Sequence, residues 1–228
     1  MTSYFLLYVA LGIALLDWIA VVKNWKRLEY FAKPGVMVVL LAWLWQATGF
    51  GGYLLWFALG VLLSLAGDVF LMLPREQFIA GLVSFLLAHI AYLIGFNMTL
   101  PALNLAGLIM AILVGLTARQ VHRRIAAGLA ASGNQGLQMP VLIYSIVISL
   151  MLLSALLTLT RPETSWLAWP ALLASAGALL FFLSDTFLAW NKFVVRLPHG
   201  KLQVIVTYHL GQALIVLGAA TNYLFLSQ

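Results

Sequence analysis

Ser64-Leu65-Ala66-Gly67-Asp68-Val69-Phe70-Leu71 puts one carboxylate inside an apolar run long enough to cross a bilayer, and Phe182-Leu183-Ser184-Asp185-Thr186-Phe187-Leu188 does so again. An acid at the centre of a spanning helix costs roughly 2.5–3.5 kcal/mol and less near an end, so each of these needs a reason. Two of them in matching surroundings read as one functional feature.

Working outward, 64% of the 228 residues are hydrophobic and only 8% are charged, with a mean hydropathy of +1.05. Soluble domains carry about 25% charged residues, so this composition belongs to an integral membrane protein. The apolar runs are continuous rather than alternating, which selects helices over a barrel. The expected fold is an all-α, eight-helix transmembrane bundle forming one domain over 1–228, with spans near 4–22, 34–48, 53–73, 78–97, 101–118, 140–160, 168–190 and 203–225. The first span lacks a small-residue cleavage site and reads as an anchor rather than a signal peptide. Cysteine is absent, which excludes disulfides and thiolate chemistry.

The net charge of +6 resembles a nucleic-acid signal until the charges are located. Lys23, Lys26, Arg27, Lys33, Arg75, Arg119, Arg123, Arg124, Lys192, Arg196 and Lys201 fall in or beside the connections after spans 1, 3, 5 and 7, and only Arg161 falls on the other side. The expected partners are therefore membrane lipids and no nucleic acid, with both termini outside the cytoplasm. Arginine-rich inner loops fit a bacterial inner membrane. Gly51-Gly52 and Asn97-Met98-Thr99-Leu100-Pro101 make extracytoplasmic turns, and 119–139 reads as a solvated connector, with a short interfacial helix in its first half as the alternative. Gly-Asp-Val-Phe-Leu in span 3 and Ser-Asp-Thr-Phe-Leu in span 7, each followed by a span carrying His and Tyr, suggest a parallel four-plus-four repeat.

Depth decides which polar groups can meet. Asp68 and Asp185 each lie five residues before the inner end of their expected span, roughly 7 Å deep at 1.5 Å per residue. Tyr208 and His209 lie at a similar depth on span 8, and His89 lies deeper on span 4. Ser64 is one turn from Asp68, Tyr92 one turn from His89 and Gln212 one turn from His209, so each span carries an inward polar stripe. The plain reading of the acids is a structural clamp between helices. The functional one is an acid pair in a hollow open to the cytoplasmic half. Two acids in one sheltered site do not both ionise at neutral pH, which leaves one proton donor and one carboxylate.

His89 serves either as a packed core residue or, with Tyr92, to orient an acid. No close His-x-x-x-His or Glu-x-x-His spacing supports a metal. Lys33-Pro34 is expected to start span 2, with Pro in the first turn, and Lys33 either snorkels or joins Asn191, Lys192 and Arg75 around a lipid phosphate. Asp17 reads as interfacial, His122 and His199 as solvated, and no tryptophan is assigned to a ligand.

At these residues the chain resembles the YhhN-type lysoplasmalogenase family of multi-span lipid hydrolases. The resemblance rests on Lys33-Pro34, Gly67-Asp68-Val69-Phe70-Leu71-Met72-Leu73, Phe78-Ile79-Ala80-Gly81-Leu82 with Phe85, Ala88-His89 and Tyr92, Ser184-Asp185-Thr186 with Ala189 and Phe193, and Thr207-Tyr208 with Gln212. His209 departs from it, since the family more often has Tyr there. The resemblance implies hydrolysis of the vinyl ether of a lysophospholipid to a fatty aldehyde and a glycerophospho-base. Asp68 and Asp185 would be the catalytic acids, His89, Tyr92, Tyr208, Gln212, Ser184 and Asn191 their support, and Lys33 and Lys192 the phosphate contacts. That chemistry needs no cofactor. A lipid permease is the rival from another class, and an intramembrane aspartyl protease ranks behind both because its Tyr-Asp companion is missing.

Overall fold

A computed structural model describes residues 4–73, 77–99, 104–162 and 165–227. Within them run α1 (Phe5–Lys23), α2 (Lys26–Thr48), α3 (Leu54–Met72), α4 (Phe78–Phe96), α5 (Leu105–Ala131), α6 (Gln138–Leu157), α7 (Ala168–Phe193) and α8 (Gly200–Leu226). Each belongs to a stretch long and apolar enough to cross a membrane, since 19 residues already span about 30 Å. The protein is all-α and membrane-integral, and the described residues contain no strand.

Consecutive helices pair as hairpins, α1 with α2, α3 with α4, α5 with α6 and α7 with α8, while α8 also lies against α1, α2 and α3. It is the most buried of the eight, and α5 is the least. The α7–α8 hairpin is the tightest because glycines face each other across it. A Cβ on Gly177 would stand 2.5 Å from the Ile215 nitrogen and 2.7 Å from the Gly211 oxygen, closer than real Cβ contacts allow. Without a hydrophobic force between helices in lipid, such close backbone approach supplies the association. Its effect here is to fix the register of Asp185 on α7 against Tyr208 and His209 on α8.

Three expected boundaries move. Helix α2 starts at Lys26 rather than at Pro34, so Pro34 lies inside it and leaves the Tyr30 carbonyl without its usual amide partner. Helix α5 continues to Ala131 through the stretch expected to be a connector. The reason is a second apolar cluster, in which Ile125 and Leu129, one turn apart, pack with Val141 and Phe193 and against Val121 and Phe78. His122 is thereby carried on a helix and half-buried, with Nδ1 3.4 Å from the Ser145 hydroxyl, instead of being solvated. The same helix starts later than expected, at Leu105, where the Asn104 side chain accepts a bond from the Gly107 amide at 2.7 Å. Arg75 and the Leu100-Pro101 part of the turn lie outside the described residues.

Candidate active site

Asp68 sits about one turn before the end of α3 and is 1% exposed. Its Oδ2 accepts a hydrogen bond from the Tyr208 hydroxyl at 2.7 Å, and the Lys33 ammonium stands 3.0 Å from Oδ1. An ion pair this sheltered survives only if both charges are held, and α2, α3 and α8 supply one member each. Lys33 also stands 5.8 Å from the centroid of the Tyr208 ring.

Asp185 sits about two turns before the end of α7 and has a different set of partners. Its Oδ2 accepts from the Tyr144 hydroxyl on α6, and His89 Nε2 on α4 lies 3.1 Å from the same oxygen and 3.0 Å from the Tyr144 oxygen. The buried Nδ1 of His89 has no hydrogen-bond partner among the described residues. A bare lone pair there is cheaper than an unpaired N–H, so the arrangement fits the tautomer that carries its hydrogen on Nε2 and donates it to Asp185. The Phe181 ring separates the two clusters, with its centroid 4.6 Å from that of His89 and 5.5 Å from that of Tyr208.

The expected single hollow resolves into two adjoining cavities. A slot of about 70 Å³ is lined by Asp185, Tyr144 and apolar side chains including Phe85, Val121, Ile148 and Phe182. A vestibule of about 1080 Å³ is lined by Lys26, Lys33, Lys192, Arg196, Lys201, His199 and Asn191, with Glu29 and Tyr30 beside them. Asp68 lines neither. It lies behind Lys33, which does.

Other expected site residues are placed differently. Tyr92 and Gln212 bond each other, Tyr92 hydroxyl to Gln212 Oε1 at 2.5 Å, and Gln212 Nε2 donates to Ser64 Oγ at 2.8 Å. This buried chain joins α4, α8 and α3 without touching either carboxylate. Ser184 donates to the Val204 carbonyl at 2.9 Å and so ties α7 to α8. Asn191 accepts from the Leu197 amide at 2.7 Å and shapes the turn between those helices, while Lys192 lies 4.6 Å from the Phe78 ring centroid at the vestibule wall.

Two residues escape the sequence reading. Tyr144 carries no motif, and its hydroxyl is one of several in a span that also holds Ser145, Ser149 and Ser154. Asp17 is not interfacial but fully buried, and among the described residues neither carboxylate oxygen has a hydrogen-bond partner. Its signal is the stripe Leu7, Ala10, Ala14, Asp17, Ala20, whose spacing of three and four puts one face of α1 into the bundle. Next to it, Trp18 Nε1 donates to His209 Nδ1 at 3.2 Å.

Comparison with known proteins follows the same residues. The YhhN family model matches residues 28–219. The chain is 32% identical over 216 residues to a mouse protein named lysoplasmalogenase TMEM86B, covering 94% of this chain and 84% of that one. It is 31% identical over 164 residues to human lysoplasmalogenase TMEM86A, covering 72% and 64%. It is 25% identical over 219 residues to a membrane protein named YhhN from Escherichia coli O157:H7, covering 92% and 98%. No solved structure matches. With the motif residues of α2, α3, α4, α7 and α8 all inside the matched range, the chain belongs to the YhhN family.

Proposed function

We propose that this protein hydrolyses the vinyl ether bond of lysoplasmalogens, releasing a fatty aldehyde and a glycerophospho-base. The observation that carries the reading is the meeting, beside the buried Asp68 and the half-buried Asp185, of a cation-lined vestibule and an apolar slot. Such a substrate has one phosphate, one chain and a reacting bond between them. The names of the relatives point to the same hydrolase and not to a permease or a protease. The vestibule carries the loop cations expected on the cytoplasmic side, so the reaction would draw substrate from the inner leaflet, in a bacterium that of the inner membrane.

The roles follow from which cavity each acid serves. Asp185 lines the slot and so meets the chain-side carbon of the double bond, to which it delivers a proton. The π electrons form the new C–H bond, leaving an oxocarbenium ion. Asp68 lies behind Lys33, and for it to act Lys33 must turn from it to the substrate phosphate, which opens Oδ1 to the vestibule; its carboxylate then stabilises the cation and takes the proton of the attacking water. The hemiacetal so formed breaks its bond to the glycerol oxygen, which takes that proton from Asp68, while the hydroxyl proton returns to Asp185 as the aldehyde carbonyl forms. Atoms balance as one water consumed.

Tyr144 is a positioning residue in this scheme. Its hydroxyl, donated to Asp185 Oδ2, gains strength as the acid loses its proton. A hydrogen bond to a charged group is worth about 1.5–3 kcal/mol, so Tyr144→Phe is expected to lower kcat roughly 10- to 100-fold while KM and fold stay put. An unchanged kcat would remove Tyr144 from the mechanism. The function itself is tested by mass analysis of lysoplasmalogen before and after incubation with the pure protein in detergent. Aldehyde and glycerophospho-base in equal amounts are expected; intact lipid would overturn the reading.

A further inference from the structure

Among the described residues, two side chains line both cavities, Leu71 and Leu188. Leu71 follows Asp68 by three residues on α3, and Leu188 follows Asp185 by three on α7, so each stands about one turn from its acid on the same helix face. The helices that carry them belong to different hairpins, α3 packing chiefly on α4 and α7 on α8. Leu71 is seated in a notch made by Gly81 of α4, where a Cβ would come within 2.7 Å of its Cδ2. On one side of the two leucines lies the 1080 Å³ vestibule and on the other the 70 Å³ slot.

We propose that Leu71 and Leu188 form a threshold that admits one hydrocarbon chain from vestibule to slot and thereby restricts the site to single-chain ether lipids. This rests on the hydrolase reading above and adds to it the residues that set its specificity. A chain entering the slot passes between the two leucines, which brings its first carbons beside Asp185 while the phosphate stays among the vestibule cations. In a two-chain lipid the second chain leaves the adjacent glycerol carbon. It must then either follow through the same narrow gap or stay behind on the apolar part of the vestibule wall, Val21, Val22, Leu202 and Ile205, tethering the glycerol on that side of the leucines. Either way it holds the vinyl ether short of the acids. The single-chain lipid presents only a hydroxyl at that carbon, which the charged and polar side chains of the vestibule solvate.

The test separates binding from chemistry. Saturated-ether analogues of the one-chain and the two-chain phospholipid, which cannot be hydrolysed, are titrated against the purified protein with the apparent unfolding midpoint as readout. Vinyl ether forms of both are assayed for aldehyde. The wild type is expected to prefer the one-chain analogue, and Leu71→Ala/Leu188→Ala to narrow that preference at least tenfold in both assays. Leu188→Ala alone gives a smaller shift in the same direction if the double variant folds poorly. Gly81→Ala, which pushes Leu71 out of its notch, is expected to weaken long-chain analogues more than short-chain ones. A preference unchanged in the double variant and in Leu188→Ala, or no preference in the wild type, overturns the threshold. Absence of aldehyde with the binding preference still shifted overturns the hydrolase reading and leaves the threshold standing.

Discussion

Asp185→Asn is expected to reduce aldehyde release about 10³-fold with KM nearly unchanged, within the 10²- to 10⁴-fold range of a lost general acid. Asparagine keeps the shape of the side chain and presents an oxygen to Tyr144, so the two hydrogen-bonded neighbours lose little of their geometry. What it lacks is a proton that can be given to carbon. Protonation at carbon forms the oxocarbenium ion in the first step, so the loss falls on kcat rather than on substrate binding. A His89→Ala variant separates the two roles near that acid. With the proton donor intact but less well held, its kcat is expected to fall less than that of Asp185→Asn. Near wild-type turnover in folded Asp185→Asn would end the case for Asp185 as the acid and leave the slot as a binding feature alone.

How far the sequence reaches toward this site depends on what each residue reports. Span number and the membrane class are legible because apolar runs of bilayer length have few alternatives. The two acids are legible for the same reason in reverse, as groups too expensive to be there by accident. Partner choice is not legible, because hydropathy says which face turns inward and not which helix it meets. Tyr92 lies one turn from His89 on α4, yet it bonds Gln212 of α8 while His89 turns to α6 and α7. The charged stretch before Pro34 looks like a loop by composition, although Tyr30 and Lys33 on it line the vestibule from a helical turn. Asp17 lies near a span end and yet away from water, because the alanine stripe it belongs to turns that face of α1 into the bundle.

Lys33→Met is the second substitution with a large expected effect, and a cycle with Asp68 tells what kind of effect it is. Removing one member of a sheltered ion pair leaves the other buried without compensation, which costs about 3–5 kcal/mol when both are fully enclosed. Lys33 is 16% exposed on its side chain and Asp68 is 1% exposed, so the lower end of that range, about 3 kcal/mol, is the expectation for Lys33→Met. The apparent unfolding midpoint in detergent reads it, and aldehyde release is expected to vanish, because the substrate phosphate loses a contact and Asp68 its counter-ion. Lys33→Met/Asp68→Asn removes the stranded charge and is expected to regain most of the stability and none of the activity. The regain is not complete, since the buried Asp17 carboxyl, without a hydrogen-bond partner among the described residues, also loses the Lys33 charge. Adding Asp17→Asn to the double variant is expected to recover part of the remainder, and doing so in the wild type to leave turnover within a few fold. If Lys33→Met is as stable as the wild type, the pair is not what holds Asp68 in place. If the double variant turns over substrate, Asp68 is not the carboxylate that receives the cation.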